Sequence, residues 1–552
     1  MKVRTPGADG QTPSGASENK RLIRTAGGVG ALTLLSRVFG LLRMAVITAL
    51  LGTGSAADAW AIAFMLPNSL RRLVGEGNIS AAFVPIFTRL ARQREEHRTW
   101  ELAQRFHTAV AIAAVLLALG GVLAAPVLVP WFASGFAAVP GKIELTIRLT
   151  RFVFLYLVFI SMAAVLVAVL NARDRFAAAA FVPVLLNVSI VGAGVAAWWA
   201  GVTEPVRAVW IIAIAAVLGG AAQYVFLIPY ARGLGMRVWP RRPTGDPALR
   251  QIGRLMVPGL FGVGIIQINI IVGRTLASQL GEGAVASLDY AARINELTLG
   301  VFAISVATVV LPLMSRQGAA TDFAALRDTL VFALRQISLV TVPAAVGMIL
   351  LRYEIVQVLY QRGQFDVDST QLTAAALWGY AVGLVAVATV RVVAPAFFAL
   401  RDTATPVRVA AIAMLVNIVA CLALRSALGN AGIALANSIA ATANAALLLI
   451  LFRRRVGALH LRELAASLAR IIVASAIMGW VVDALRQTVW YGGAGGNLLD
   501  LGKLLAVVTV GALTYVAALA AMRAPEIREL RLVTRGGVPD TLTDRGEASG
   551  GE

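Results

Sequence analysis

The sequence predicts an all-α, polytopic membrane protein with about fourteen transmembrane helices, and three observations lead to this fold class. Of the 552 residues, 59% are hydrophobic and 14% are charged, with a mean hydropathy of +0.78, whereas about a quarter of a soluble protein is charged. The apolar residues form runs of about 20 or more, which cross the roughly 30 Å hydrocarbon core as helices. The chain also repeats itself in two halves. This composition excludes an ordinary soluble enzyme.

Apolar runs interrupted by glycine, proline and charge predict the individual helices. The run that follows the polar N-terminal segment is too long for the core of a secretory signal peptide, so it is predicted as the first membrane helix. The fourteen helices are predicted at 27–51, 57–76, 106–131, 147–170, 177–200, 206–230, 253–279, 285–314, 325–350, 371–399, 407–426, 431–452, 464–485 and 500–522.

These helices divide the chain into six segments. The first two dozen residues are rich in Gly, Ser, Pro and charge and bury too little apolar surface to order themselves, and the segment after residue 523 is short and polar. We therefore predict a disordered cytoplasmic tail at 1–24, a six-helix N-lobe at 25–231, a basic cytoplasmic linker at 232–252, a six-helix C-lobe at 253–455, two last helices at 456–523 and a cytoplasmic tail at 524–552.

An internal repeat with a spacing near 228 residues predicts the two lobes. Its matches are GTGSAADAWAI at 52–62 with GEGAVASLDYAAR at 281–293, ISAAFVPIFTR at 79–89 with ISVATVVLPLMSR at 304–316, and ARDRFAAAAFVPVLLN at 172–187 with LRDTATPVRVAAIAMLVN at 400–417. The spacing covers six helices, an even number, so the halves share one orientation and are related by an axis along the membrane normal. Two such pseudo-symmetric bundles are typical of a transporter whose substrate path lies between them.

The formal net charge of +20 follows the predicted topology. Loops on the side of the N-terminus carry many arginines, among them Arg89, Arg92, Arg173, Arg175, Arg241, Arg242, Arg401 and Arg453 to Arg455. The opposite loops carry Lys142, Arg207, Arg352 and Arg362. The positive-inside rule then predicts that both termini are cytoplasmic. The arginine clusters are short, dispersed between spans and not interleaved with aromatic residues, so no nucleic-acid partner is expected.

Motifs for catalysis, metals and cofactors are weak or absent in the sequence. Cys421 is the single cysteine, and the three histidines lack the neighbours of a metal site. No P-loop, HExxH motif or nucleophile elbow occurs, so neither a metal nor a cofactor is expected. A polytopic enzyme would need an acid–base pair near a membrane face. The outer-loop residues Glu354, Asp366 and Asp368 are the nearest candidates, and a solvated loop explains them better.

Charged residues inside predicted spans are functional candidates, because each costs about 2.5–3.5 kcal/mol at the bilayer centre. They comprise Arg37 and Arg43 in helix 1; Asp58, Arg71, Arg72 and Glu76 in helix 2; and Arg274, Asp289, Arg293, Glu296 and Arg391 in the second half. Arg72 and Glu76 are four residues apart and Arg293 and Glu296 three apart, so each pair shares a helix face and is predicted to be an ion pair.

Helical angles separate the remaining arginines. Arg71 points about 140° away from Glu76, and Arg37 and Arg43 lie about 120° apart. Snorkelling to the membrane surface or ion pairing between helices would account for Arg72, Arg274 and Arg391. The other arginines, concentrated in the first two helices of each lobe, predict a positively charged cavity. Guanidinium groups bind phosphate oxygens in a bidentate manner, so this cavity suits a pyrophosphate or another polyanionic group.

Five segments, SRVFGLLR, ADAWAIAFMLPNSLRRLVGEGNISAAFVPIF, LNARDRF, DYAARINE and VVAPAFFALRDTATPV, closely resemble the MurJ (MviN) family, and the resemblance covers about residues 23–523. That family comprises lipid II flippases of bacterial peptidoglycan synthesis, in a superfamily with multidrug extruders and polysaccharide flippases. The resemblance implies fourteen helices, two six-helix lobes around a cationic cavity and a last helix pair that forms a groove for the lipid tail.

The resemblance also implies roles for individual residues. The substrate-binding positions that it implies are Arg37, Arg43, Arg71, Arg293, Ser36, Asp58 and Asn68, with the arginines on the pyrophosphate and head group. The implied gating or ion-pair positions are Glu76, Arg72 and Glu296. Met44 and Ala292 replace acids that members often carry beside the second and fourth arginines, which predicts a more positive cavity here. Helix 7 lacks the carboxylate that binds sodium in some members, so no such site is expected.

These observations predict a lipid II flippase, a transporter and not an enzyme. It would move undecaprenyl-pyrophosphate-linked disaccharide pentapeptide from the inner to the outer leaflet of the bacterial cytoplasmic membrane by alternating access. A monomer is expected, and cell-wall synthases that consume lipid II are candidate partners. The alternatives are an exporter of another polyprenyl-linked saccharide or a cationic drug, a polytopic glycosyltransferase, and a scaffold that does not transport.

Overall fold

Helices make up nearly all of the described structure, which confirms the all-α prediction. The computed structural model describes residues 15–74, 78–459, 461–489 and 498–526. Within these ranges the α-helices are α1 Gly15–Leu51, α2 Ser55–Val74, α3 Asn78–Arg92, α4 Glu96–Phe132, α5 Lys142–Ala172, α6 Phe176–Trp199, α7 Pro205–Gly233, α8 Pro247–Ser278, α9 Ala284–Ala319, α10 Phe323–Leu350, α11 Arg352–Tyr360, α12 Val367–Val382, α13 Leu384–Ala399, α14 Ala404–Val456, α15 Leu461–Val489 and α16 Leu498–Ala521. A short 3₁₀ helix covers Ser134–Ala138.

The helix lengths fit a polytopic membrane protein. In the described ranges, nine helices are long and apolar enough to cross a membrane, and α12 and α13, bent by 45°, form a tenth span together. Gly429, with φ 52°, divides α14 into two straight parts. The remaining predicted spans, 57–76, 253–279 and 285–314, coincide with the more polar α2 and the long helices α8 and α9. These helices are consistent with fourteen spans, and the count itself stays a prediction.

Two helices of the structure were not predicted, and both are too short to cross a membrane. The helix α3 has 15 residues and packs against α4, α5 and α8, while α11 has nine residues and packs against α1, α12 and α16. A search for apolar runs of about 20 residues passes over such helices. They lie in segments that the sequence analysis treated as loops.

The described structure extends into both predicted tail segments. The helix α1 begins at Gly15, and the sequence contains no proline from residue 14 to 66 that would prevent a helix there. At the other end, Glu526 is fully buried and accepts hydrogen bonds from Arg470 (2.6 Å) and Arg335 (3.4 Å). Residues 15–24 are therefore helical and Glu526 packs against α10 and α15, while the division of the chain into lobes and tails stays a prediction. Residues 1–14 and 527–552 lie outside the described part.

Helix packing confirms the two repeated lobes. In the N-lobe α1 packs on α6 and α2 on α5, and in the C-lobe α8 packs on α14 and α9 on α12 and α13. The turns repeat as well. Arg94 and Thr321 have φ of 59° and 56°, Asp174 and Arg401 both have φ of 58°, and each pair is 227 positions apart. The helices α15 and α16 pack on each other, and α15 packs on α10.

The helix bundle has two ends, and loops of both lobes lie at each end. We call the end with residues 52–54, 279–283 and 361–366 the far face, and the end with residues 93–95, 173–175 and 234–246 the terminal face. At the far face the backbone N–H of Gln364 donates to the carbonyl of Ala49 (2.8 Å), and the hydroxyls of Thr53 and Ser369 are 2.8 Å apart. The lobes are therefore joined directly at this end.

Candidate functional site

Two adjoining cavities lie where the lobes meet. The N-lobe cavity, of about 450 Å³, is lined mainly by α1, α2, α5, α6 and α7. The C-lobe cavity, of about 410 Å³, is lined mainly by α2, α8, α9, α13 and α14. Both are bounded by Phe64, Asn68 and Arg72 of α2 and by Arg293 of α9. Residues from both lobes thus form one site with two compartments.

The charged side chains of this site are mostly cationic. Among the described residues, the two cavities are lined by six arginines and two carboxylates, namely Arg43, Arg71, Arg72, Arg274, Arg293, Arg391, Asp289 and Glu296. A cleft lined by one sign of charge with low-dielectric walls concentrates ligands of the opposite sign. The chemistry of the site therefore favours an anionic ligand.

The N-lobe cavity brings together three of the arginines that the resemblance implied. Arg43 comes from α1, Arg71 from α2 and Arg293 from α9. The Nε of Arg71 donates to Oδ1 of Asn68 at 3.0 Å. The Nε of Arg43 is buried and has no hydrogen-bond partner in the described structure. A buried donor without a partner costs about 1–3 kcal/mol, so an oxygen-rich anion would stabilise this arrangement.

In the C-lobe cavity, ion pairs partly neutralise the arginines. Arg293 Nη1 lies 3.0 Å from Oε2 of Glu296, the pair that their spacing predicted. Arg274 pairs with Asp289 on the next helix and also donates to the carbonyl of Ala61 at 3.2 Å. Arg72, Arg274 and Arg391 all line this cavity, so snorkelling to the membrane surface does not describe their positions.

A polar wall of the C-lobe cavity was missed by the sequence analysis. It consists of Gln267, Asn269, Asn295, Asn417, Asn437, Ser438 and Tyr380. Asn417 Nδ2 donates to Oδ1 of Asn269 at 2.8 Å, which joins α14 to α8. Uncharged amides do not lower the hydropathy of a long apolar run enough to interrupt it. The sequence feature that could have predicted this polar wall is the occurrence of amide residues inside otherwise apolar helices.

Asp58 lies outside both cavities, at the far face. Its side chain is fully buried and its Oδ2 is 2.7 Å from Nζ of Lys142. The same carboxylate accepts from the backbone N–H groups of Gly283 and Ala286, both at 2.8 Å. These are donors at the first turn of α9, so Asp58 of the N-lobe caps a helix of the C-lobe.

A second carboxylate completes a reciprocal arrangement. Oε1 of Glu282 accepts from the backbone N–H of Ser55 at 2.7 Å and from its hydroxyl at 2.6 Å. Glu282 thus caps α2 from the C-lobe while Asp58 caps α9 from the N-lobe. Sequence reasoning treated Lys142 as an exposed loop cation, but its side chain is buried against Asp58. The two caps hold the far face closed.

The other predicted site residues are spread around the cavities. The guanidinium of Arg37 lies against α9, where a Cβ added to Gly300 would be 2.9 Å from Nη1. The carbonyl of Ser36 accepts from Nδ2 of Asn187 (3.2 Å), and Asn187 lines the N-lobe cavity. Glu76 lies outside the described residues, so its pairing with Arg72 stays a prediction.

The acidic cluster of the outer loop is structural. Asp366 caps α12 by accepting from the backbone N–H of Ser369 at 2.8 Å, and this hydrogen bond lowers the pKa of the Asp366 carboxyl. Glu354 lies 3.7 Å from Arg486 on α15. The described residues contain no group of three or more His, Cys, Asp or Glu side chains that could hold a metal ion. Asp366 and Glu354 thus take part in contacts that hold neighbouring helices.

A polytopic helical chain with two repeated lobes, a charged cavity between them and one closed face has the architecture of a membrane transporter. Comparisons with known proteins agree with this class. The chain belongs to the lipid II flippase MurJ family, whose model matches residues 47–496. It is a multi-pass protein of the inner membrane and a transporter, not an enzyme.

Individual relatives cover almost the whole chain. A probable lipid II flippase MurJ of Vibrio cholerae is 33% identical over 513 residues, which are 91% of this chain and 96% of that protein. A probable lipid II flippase MurJ of Rhizobium tropici is 35% identical over 490 residues, covering 87% and 90%. These matches include both lobes and the connecting segments.

Solved structures show the same fold. A lipid II flippase MurJ in an inward closed conformation has a TM-score of 0.75 at 23% identity and covers 90% of this chain and 99% of that one. An inward-facing multidrug resistance transporter of the MATE family has a TM-score of 0.60 at 16% identity, covering 78% and 98%. The two solved structures thus share the fold of this chain.

Proposed function

We propose that this protein is a lipid II flippase, which moves undecaprenyl-pyrophosphate-linked disaccharide pentapeptide from the cytoplasmic to the outer leaflet. The observation that carries the proposal is the excess of arginine in a cavity between two lobes of a chain that belongs to this family. A polar head group costs several kcal/mol to move through hydrocarbon. The cavity would shield the head while the polyprenyl tail stays in the bilayer.

Arg43, Arg71 and Arg293 would bind the pyrophosphate. They approach the N-lobe cavity from three helices, and Arg43 keeps a buried donor without a partner in the described structure. Bidentate contacts between guanidinium and phosphate give both strength and orientation. Because α9 belongs to the C-lobe and α1 and α2 to the N-lobe, an anion bound there would draw the two lobes together.

Alternating access would move the bound head group. With the far face held by the Asp58 and Glu282 caps, the substrate would enter through the terminal face and leave when both caps open. The arginine bias of the loops supports a cytoplasmic position for the terminal face and for both termini. One chain supplies both lobes of the cavity, which supports a monomer as the working unit.

Complementation of a flippase-depleted bacterium tests the proposal. Arg43→Ala and Arg293→Ala should abolish growth at normal expression, and in proteoliposomes each should slow lipid II translocation at least about tenfold, as expected for losing a charge-assisted hydrogen bond. Arg408→Ala, at an exposed position of α14, is the matched control and should support growth. Full growth with both cavity variants would refute the proposal.

A further inference from the structure

A third cavity lies at the terminal face of the N-lobe, apart from the site between the lobes. We call it the terminal groove. It has a volume of about 430 Å³ and is lined by Leu170, Arg175, Pro229, Tyr230, Gly233 and Leu234. These residues come from the end of α5, the α5–α6 turn and the end of α7. None of them lines the two substrate cavities.

The rim of the terminal groove is cationic and not neutralised. Arg175 lines the groove, Arg232 lies in the last turn of α7, and Arg237 follows in the linker, with all three exposed. Within the part of the chain that the structure describes, none of the three forms an ion pair with a carboxylate. An anion at this rim would therefore meet several cations that form no ion pair in the described structure, although Asp174 precedes Arg175 in the same turn.

Exposed aromatic residues place the terminal groove at the level of lipid head groups. Tyr230, in the groove, is 46% exposed, and Trp239, in the linker that follows, is 77% exposed. Tyrosine and tryptophan concentrate at the membrane–water interface because one end of the ring system is apolar and the other is wet. Leu170, Pro229 and Leu234 give the groove an apolar lining beside these aromatic residues.

The C-lobe provides an internal comparison, because its α13–α14 turn repeats the α5–α6 turn. Asp174 and Arg401 share φ of 58°, and the next residues are Arg175 and Asp402. Asp402 forms an ion pair with Arg455 and accepts from the backbone N–H of Thr405 at 3.0 Å. Where the C-lobe turn has Asp402, paired with Arg455, the N-lobe turn has Arg175 at the corresponding position, after Asp174.

We propose that the terminal groove binds an anionic glycerophospholipid, with the phosphodiester head group at Arg175 and Arg232 and an acyl chain along the apolar lining. Basic pockets between transmembrane helices are a recurring way to hold anionic head groups. The charge of the rim, the apolar lining of the groove and its exposed aromatic residues all fit this ligand. The site is separate from the translocation path, so it would be occupied by bulk lipid during transport.

Lipid binding by the intact, detergent-purified chain tests this site. Native mass spectrometry would measure the retention of phosphatidylglycerol, with phosphatidylcholine as the neutral lipid. Wild type should bind phosphatidylglycerol about tenfold more tightly, and Arg175→Ala with Arg232→Ala should remove most of that preference, since each basic residue near the surface contributes on the order of a few-fold or more.

Two further variants distinguish a specific lipid site from general electrostatic attraction between anionic lipid and the basic protein surface. Arg401→Asn with Arg408→Ala removes two charges, one from the repeated C-lobe turn and one from the following helix α14, and should leave the preference intact. Asparagine tolerates the left-handed backbone of residue 401. Gly233→Phe fills the groove without changing charge, because a Cβ there meets nothing within 4 Å, and should reduce retention of both lipids. Equal losses in the two double variants, or unchanged binding by Gly233→Phe, would overturn the proposal.

Discussion

The two turns at the far face perform the same task in different surroundings. In the α1–α2 region Asp58 caps α9, and before α9 Glu282 caps α2, so each lobe supplies the carboxylate for the other lobe's helix. Asp58 is fully buried and paired with Lys142, whereas Glu282 is exposed to solvent. The two caps are reciprocal but are not equivalent positions of the repeat, because Asp58 aligns with Ser287 and Glu282 aligns with Thr53. They also differ in burial.

This difference determines how much each cap matters. An exposed carboxylate at a helix N-terminus is screened by water and salt, and its loss is tolerated. A buried ion pair is asymmetric: removing one partner leaves an uncompensated charge, although replacing both by apolar groups is often neutral. Losing the Asp58 cap should therefore destabilise the closed far face more than losing the Glu282 cap.

Asp58→Asn should have the largest effect. It removes the counter-charge of Lys142 while the backbone donors of Gly283 and Ala286 remain. Breaking a buried pair costs about 3–5 kcal/mol, so the free energy of unfolding should fall by that amount and the far face should open. Spin labels at Glu144 and Asp368, on a Cys421→Ala background, would report a longer distance between the lobes. An unchanged distance and unfolding midpoint would contradict the assignment.

Adding Lys142→Met to Asp58→Asn should recover most of this loss. The double variant buries no unpaired charge, and methionine has a similar length and an adaptable shape. We expect its free energy of unfolding to lie within about 1–2 kcal/mol of wild type. A double variant as unstable as Asp58→Asn alone would show that the carboxylate acts mainly as the α9 cap. The thermodynamic cycle of the four proteins separates these contributions.

Glu282→Gln should have a small effect. The amide oxygen still accepts from Ser55, and only the screened attraction between the negative charge and the N-terminus of α2 is lost. We expect a decrease of about 0.5 kcal/mol in the free energy of unfolding, smaller at high salt. Glu204→Gln is a matched control, because Glu204 is exposed and pairs with Arg207 within its own lobe. A loss comparable to that of Asp58→Asn would contradict the comparison between the turns.

The spacing of residues along one helix predicted the contacts that form within that helix. The pair Arg293 and Glu296 follows from a separation of three residues, and the structure contains it. The caps could not be predicted in this way, because Asp58 lies 84 residues from Lys142 and 225 residues from Gly283. The internal repeat indicated that the two turns are related, but which carboxylate faces which helix depends on how the lobes meet.

The positions of the arginines also depend on tertiary packing that the sequence pattern does not reveal. Helical angles left open whether Arg37 and Arg43 reach one cavity. In the structure Arg43 lines the N-lobe cavity and Arg37 lies against Gly300. Arg274 was expected to snorkel or to make an inter-helix ion pair, and it pairs with Asp289 across the α8–α9 turn. A hydropathy pattern detects that a charge lies within a span, but tertiary packing decides whether it faces lipid, a partner or a cavity.

The smallest predicted effect is a pH dependence of the Glu282 cap. Hydrogen bonds from Ser55 lower the pKa of the Glu282 carboxyl below its ordinary value of 4.5. A carboxyl whose pKa is lower in the folded state stabilises that state fully above the ordinary value and progressively less as pH falls through the lowered pKa. The difference in unfolding midpoint between wild type and Glu282→Gln should therefore shrink between about pH 5 and about pH 3. Because Asp366 and the other carboxyls titrate in both proteins, a difference that stays constant over this range would show that Glu282 does not stabilise the closed far face through its charge.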